Sequence, residues 1–233
     1  MNPQSQALRA SAPLRALRTA KVDRAADSAS PRAPRAATVR KQEAILLEAE
    51  RQFARFGLEG SSIEGIAAQL GISRQNLLYY YASKEALYVA VLDNVLADWI
   101  ASMEELGSVD TPEQAIAQYI RAKLRFSRER PSGTSVFTRE VMAGAPLYRD
   151  TLVAKVMPAL KTDVKRLERW AREGLIRRTN FLHLMFVLWA STQAYADLAP
   201  QFALFEGKEA LDEQDFEAAE KLLTEMVLRT LKP

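Results

Sequence analysis

The 233-residue chain is predicted to be all-helical, and three observations carry that reading. From Val39 onward apolar residues recur at spacings of three and four with little interruption, the pattern of helices that each bury one face. No stretch alternates apolar and polar residues at the period of two that a half-buried strand requires. Glycine and proline fall between the periodic segments, at Gly57, Gly71, Gly107, Pro131, Gly133, Gly144, Pro146, Gly174 and Gly207, where helices stop and restart.

Each element follows from its own residues. A first helix over residues 39–56 aligns Leu46, Ala49, Phe53 and Phe56 and ends at Gly57. Ile63, Ile66, Ala67 and Leu70 mark a second helix, which Gly71 breaks, and Ser73 is placed to cap a short third one reaching Tyr80. Ser83 and Glu85 open a longer helix to about residue 106 that carries Leu87, Val91, Val95 and Trp99. Thr111, Pro112 and Glu113 give a cap, a first-turn proline and an acid for a helix ending near Glu129. A short helix over 134–143 and a long one over 147–173 follow, with Pro158 expected to kink or divide the latter. Asn180 caps a strongly apolar helix that ends near residues 197–200. The last helix, 212–231, presents Phe216, Ala219, Leu223, Met226 and Thr230 as a seam. No linker separates the first three helices from the rest, so the fourth is expected to join two all-α units.

Composition narrows the function. The chain has no cysteine, which excludes disulfides, thiolate metal sites and a thiol nucleophile, and fits a reducing compartment. No apolar run approaches ~18 residues without charged or strongly polar interruption, so no transmembrane helix is expected. The N-terminus lacks the apolar core of a secretory leader, and a cytoplasmic location is expected. The net charge of +3 is unevenly spread. Residues 1–41 hold nine Arg and Lys against Asp23 and Asp27, a net of +7, which leaves −4 for residues 42–233. The Ala, Arg, Ser and Pro content of that arm predicts disorder, and its charge predicts attraction to phosphate. A solvated tail or an Arg-rich transit leader are the alternatives.

Two short helices joined at Gly71 form the helix-turn-helix pattern that lays its second helix in a DNA major groove. The second helix carries Arg74, Gln75, Asn76, Tyr79 and Tyr80. Arginine suits guanine edges and phosphates, glutamine and asparagine suit adenine, and hydroxyls suit phosphate oxygens. Ser61, Ser62, Ser73 and Lys84 flank it as further candidate DNA contacts. An ordinary helical hairpin with a polar outer face is what the pattern alone leaves open.

The whole segment resembles the TetR family of bacterial transcriptional repressors. The resemblance rests on Phe56–Gly57, Ser61–Ser62, Ile66–Ala67, Gly71–Ile72–Ser73 and Tyr80–Tyr81–Ala82–Ser83–Lys84–Glu85, and it covers about residues 42–90. Gln75, Leu78 and Ala82 depart from the family's frequent glycine, tyrosine and proline. Further stretches resemble pyrimidine-sensing members: NLLYY (76–80), SKEALY (83–88), AGAPL (143–147), WASTQ (189–193), YAD (195–197) and APQ (199–201). The resemblance implies a basic arm (1–38), a helix-turn-helix DNA-binding domain (39–85) and a C-terminal helical ligand-binding and dimerisation domain (86–233). It implies a homodimer on double-stranded operator DNA, and a pyrimidine base such as uracil or thymine as small-molecule effector. Another effector, or an architectural DNA-binding protein without one, are the alternatives.

The segment 181–190 is apolar on nearly every side. In a TetR-like dimer it would pack on its own core and pair with the last helix across a two-fold axis. Ser191, Thr192, Gln193 and Tyr195 then lie at the end of a buried element and need partners. The Gln193 amide has donors and an acceptor that complement the C=O/N–H edge of a nucleobase imide. Trp189, one turn earlier, and Trp99 supply aromatic walls, and Glu140 is expected to border the pocket. Core and dimer packing is the reading the residues alone would favour. His183, the only histidine, has no co-ligand for a metal. No GxSxG elbow, P-loop or dinucleotide fingerprint is present, so an enzyme is not expected.

Overall fold

The computed structural model describes residues 32–233, with side chains from residue 37. Ten helices form it: α1 (Arg32–Gly60), α2 (Ile63–Gln69), α3 (Arg74–Tyr80), α4 (Lys84–Glu104), α5 (Pro112–Glu129), α6 (Pro131–Met142), α7 (Arg149–Arg172), α8 (Phe181–Asp197), α9 (Ala199–Phe205) and α10 (Glu213–Leu231). A 3₁₀ turn, Glu105–Gly107, finishes α4. No strand occurs among the described residues.

Local chemistry fixes the first three helices. Gly57 breaks α1 with φ 73° and ψ 176°, a left-handed conformation open to glycine, so residues 58–60 form a separate final turn. The Ser61 hydroxyl donates to the Gly57 carbonyl at 2.7 Å, and Lys84 Nζ donates to the carbonyls of Leu58 at 2.7 Å and Ser61 at 3.3 Å. The carbonyls that the break leaves without helical partners are thereby satisfied. Ser62 and Ser73 cap α2 and α3, accepting from the amides of Gly65 at 3.0 Å and Asn76 at 3.1 Å.

Some boundaries differ from expectation, each for a local reason. Helix α1 begins at Arg32, so the last residues expected of the arm are helical. Pro34 falls in the first turn, where its missing amide is not needed. The remainder of the arm lies outside the described residues. Helix α6 starts at Pro131, three residues early, because Pro131 takes the first-turn position. Pro158 lies inside α7 without dividing it, since Leu160, Leu167 and Trp170 bury that helix in the core. Residues 199–205, expected as the end of the apolar helix and the loop after it, form the separate helix α9.

Two hydrophobic cores meet on α4. One gathers Ile45, Phe53, Ile66, Leu77, Leu87 and Leu92 beneath the helix-turn-helix, with Val136 of α6 and Tyr148 closing it. The other gathers Met103, Tyr119, Leu124, Trp170, Met185 and Leu231. Trp99 packs against both. By length and composition α4 and its turn could cross a membrane, but half of the most apolar window is buried within the fold, against α1, α5 and α6 among others. It is the helix that the two cores share.

Arg130 ties the units at the junction of α5 and α6. Its Nη2 donates to Glu50 Oε2 of α1 at 2.6 Å and to Asn94 Oδ1 of α4 at 2.5 Å. Its Nη1 pairs with Asp98 of α4. The Glu50 carboxylate is only 4% exposed.

The seam expected on α10 lies mostly inward. Phe216 and Ala219 are buried in their own core and Leu223 is half-buried, leaving only Met226 of that apolar set exposed. The large apolar side chains left exposed on these helices are instead Leu222 and Met226 of α10 and Leu182, Phe186 and Val187 of α8. Residues 216, 219 and 223 follow the helix's inner stripe, whereas Leu222 and Met226 lie on the flank beside it, turned by roughly 70°.

Candidate DNA interface and effector pocket

Leu77 is fully buried and, with the half-buried Leu78 and Tyr80 packed beside it, fastens α3 to the core. Arg74, Gln75 and Tyr79 are exposed, Tyr79 at 83%, while Asn76 and Tyr80 are half-buried. The Tyr79 and Tyr80 rings meet edge to face at 5.3 Å. Arg74 Nε lies 2.5 Å from Glu64 Oε1 of α2, and both side chains are more than half exposed. Ser62 and Ser73 are exposed at the two helix starts. Ser61 and Lys84 do not join this surface. Ser61 is buried, and its hydroxyl and the Lys84 ammonium are both turned onto backbone carbonyls around the Gly57 break.

A second cluster forms where the two cores meet. Trp99 of α4 and Trp189 of α8 contact edge to face with centroids 4.9 Å apart, and Phe137 of α6 stacks on Trp99 at 6.3 Å. The Trp189 indole donates to the Tyr119 hydroxyl at 2.6 Å, which fixes its ring. Gln193, one turn on from Trp189, shares its face. Its Nε2 donates to Thr138 Oγ1 at 2.5 Å and to Asp197 Oδ2 at 3.2 Å. Burial raises the Asp197 pKa, and the bonds from Thr138 and Gln193 partly offset that. Trp99, Gln193, Phe126, Phe137, Val95 and Lys123 line a small cavity here, with Ser127, Thr134 and Thr192 completing the wall. It encloses about 10 Å³, close to the space of one water, so its walls lie nearly against each other.

Two residues expected in the pocket lie elsewhere. Tyr195 follows Gln193 by two positions and so projects from nearly the opposite side of α8. It packs on Phe202 at 5.4 Å and Phe216 at 5.8 Å. Glu140 is buried lower in the molecule, accepting from the Leu147 amide at 2.8 Å. Burial first, then the charge of Glu140 and a hydrogen bond to it, push the Tyr88 phenol pKa well up. Tyr88 and Trp99 are eleven residues apart on α4, about 16 Å along the helix, which removes Glu140 from the cavity. His183 is exposed on α8, beside Phe186 at 5.7 Å.

Lys123 is the charged residue among the cavity-lining side chains that the sequence expectations did not include. It is 2% exposed, its ammonium donates to the Trp99 carbonyl at 3.0 Å, and it lies 3.6 Å from the centroid of the Trp99 ring. Burial pushes its pKa well below the ordinary lysine value, and the field of Asp163 on α7 opposes that. Burial likewise raises Asp163 to about 7, against the pull of Lys123 and Arg166. A signal existed in the sequence: Ile116, Tyr119, Ile120, Lys123, Leu124 and Ser127 share one helical stripe, which sets a lysine at a core position.

Comparison with known proteins agrees with this architecture. Residues 45–91 match the profile of bacterial regulatory proteins of the tetR family, and residues 92–233 match that of the YcdC-like protein C-terminal region. The chain is 37% identical over 193 residues to the HTH-type transcriptional regulator RutR of Escherichia coli K12, covering 83% of this chain and 91% of that one. RutR of Shigella flexneri matches equally. Among solved structures, the TetR family regulator PfmR of Thermus thermophilus shares the fold with a TM-score of 0.65 at 20% identity, over 81% of this chain and 96% of that one. The ketosteroid regulator KstR2 of Mycobacterium tuberculosis shares it with a TM-score of 0.67 at 18% identity, over 83% and 95%. These relatives are regulators and not enzymes, and with a tetR-type reading head, a shared long α4 and a helical C-terminal unit, the chain belongs to the TetR family of bacterial transcriptional regulators.

Proposed function

We propose that this TetR-family regulator is a cytoplasmic homodimeric repressor whose effector is a pyrimidine base, uracil or thymine. The observation that carries this reading is the meeting of Trp99 and Gln193 on one cavity where the two cores join, with Trp189 packed against the Trp99 ring. Two of the three belong to the stretch WASTQ, which resembles pyrimidine-sensing members of the family. Aromatic walls suit a planar ring, and an amide held in place by Thr138 and Asp197 suits its polar edge.

In this reading Arg74, Gln75 and Asn76 face base edges, while Ser62, Ser73, Tyr79 and Tyr80 hold phosphates. The dimer forms through Leu182, Phe186, Val187, Leu222 and Met226, and its two α3 helices enter successive major grooves ~34–36 Å apart. A base entering the cavity separates Trp99 on α4 from Phe137 on α6. Helix α6 packs on both α1 and α4, so the displacement reaches the reading head and alters the groove spacing.

Calorimetry of the purified protein with uracil, thymine and cytosine tests the reading. Uracil and thymine are expected to bind saturably and be recovered intact, and to shift operator affinity. Cytosine, with an amino group where uracil has a carbonyl, is expected to bind worst. No binding below millimolar by any of the three would leave a TetR regulator with a different effector.

A further inference from the structure

Hydrogen-bonding capacity in the cavity is almost fully committed, and what remains free is asymmetric. Ser127 donates to the Thr192 carbonyl at 2.9 Å, Thr134 to the Arg130 carbonyl at 3.1 Å, and Thr192 to the Leu188 carbonyl at 2.8 Å. These three hydroxyl hydrogens are used. Both amide hydrogens of Gln193 are used as well, since a carboxylate such as Asp197 only accepts and so fixes the nitrogen toward it. That leaves Gln193 Oε1 as an acceptor. Lys123, the one charged residue among the lining, gives a hydrogen to the Trp99 carbonyl and keeps its others. Apart from the Trp99 indole, it is the cavity's source of free donors.

We propose that Lys123 determines effector specificity, donating to a ring carbonyl oxygen while Gln193 Oε1 accepts from the neighbouring ring N–H. The ligand class is then a planar cyclic imide, read at the ring N–H that lies between two carbonyl oxygens. This inference rests on the pyrimidine reading and sharpens it. Cytosine fails at the same edge, because its unprotonated ring nitrogen meets Gln193 Oε1 acceptor to acceptor. The cation–π contact with Trp99 gives Lys123 a fixed station beside the ring that forms the pocket wall, so its donors are aimed before the ligand arrives.

The test pairs ligand and protein changes. Uracil, 2-thiouracil and 4-thiouracil are titrated by calorimetry into the wild-type protein and into the Lys123→Met and Lys123→Gln variants. Sulfur accepts hydrogen bonds poorly, so one thio analogue is expected to bind the wild type at least about tenfold more weakly than uracil. Lys123→Met is expected to weaken uracil about 10- to 100-fold and to abolish the preference for uracil over that analogue. Lys123→Gln keeps a donor and should retain part of the preference. Operator affinity without ligand and the thermal midpoint report whether each variant is folded. Uracil binding unchanged in Lys123→Met, or an undiminished thio preference in that variant, would overturn the proposal while leaving the pyrimidine effector standing. A wild-type protein that binds none of the three sinks both together.

Discussion

Replacing Arg130 with methionine removes the cation that joins α1, α4 and the α5–α6 junction. Methionine keeps most of the side-chain volume, so the change isolates the charge and its hydrogen bonds. Glu50 loses donors from Nε at 3.2 Å and Nη2 at 2.6 Å, and its carboxylate is only 4% exposed. Breaking a buried pair by removing one partner costs ~3–5 kcal/mol, because the remaining charge is stranded in a poor dielectric. Arg130 itself is 20% exposed, and water reaching the gap will solvate Glu50 in part, which favours the lower end, ~3 kcal/mol. Asp98 is over half exposed and contributes little to that figure. The double variant Glu50→Leu with Arg130→Met removes both charges, and it should recover most of the loss. Urea unfolding at one fixed protein concentration measures this through the midpoint at constant slope. A cost below ~1 kcal/mol for Arg130→Met, or a double variant as unstable as the sum of the single ones, refutes the reasoning.

Lys84→Met should lower the stability of the reading head, while the salt dependence of operator binding changes by well under the slope of ~1 expected for a lost phosphate contact. Gln75→Ala should relax preference at one base pair per half-site, read by competition between operator variants; equal discrimination would remove Gln75 from base contact. Met226→Asp should convert the dimer to monomer at micromolar concentration in sedimentation, because it puts a charge into the proposed dimer surface. Asp163 is held near pKa 7 in the folded protein, above its unfolded value, so between about pH 4 and 7 the folded state keeps a proton that the unfolded chain has lost. Its contribution to stability therefore falls as pH rises through that window, and Asp163→Asn should flatten the profile; parallel unfolding curves for the two proteins across that window would count against it.

The helices and the reading head were legible because their signals are local. Ser62, Ser73, Gly71 and the buried stripe through Ile66, Ala67 and Leu77 act within a few residues of each other, and caps and periodicity report them directly. Trp99, Trp189 and Gln193 were found through resemblance together with i, i+4 spacing on α8. What escaped depends on contacts distant in sequence. The inward turn of Lys84 follows from carbonyls 23 and 26 residues earlier, and no helical period encodes them. Tyr195 was grouped with Gln193 by proximity in the chain, although two positions on a helix point to opposite sides. Glu140 was placed by its neighbourhood to a shared motif, and only the level at which α6 crosses α4 assigns it to Tyr88. Lys123 was passed over because lysine is ordinarily solvated, even though its register put it in the core.

For the effector site proposed above, the tight closure of the cavity would set a threshold on signalling. Walls separated by the volume of about one water hold Trp99 against Phe137, with Trp189 on the Trp99 ring, and any ring that enters must part Trp99 from Phe137. In the proposed mechanism the work of parting is subtracted from effector affinity, and that same work would move α6 against α1. Sensitivity and response are therefore exchanged for one another through a single aromatic contact. A roomier pocket would detect the effector at lower concentration and transmit less of its arrival to the operator.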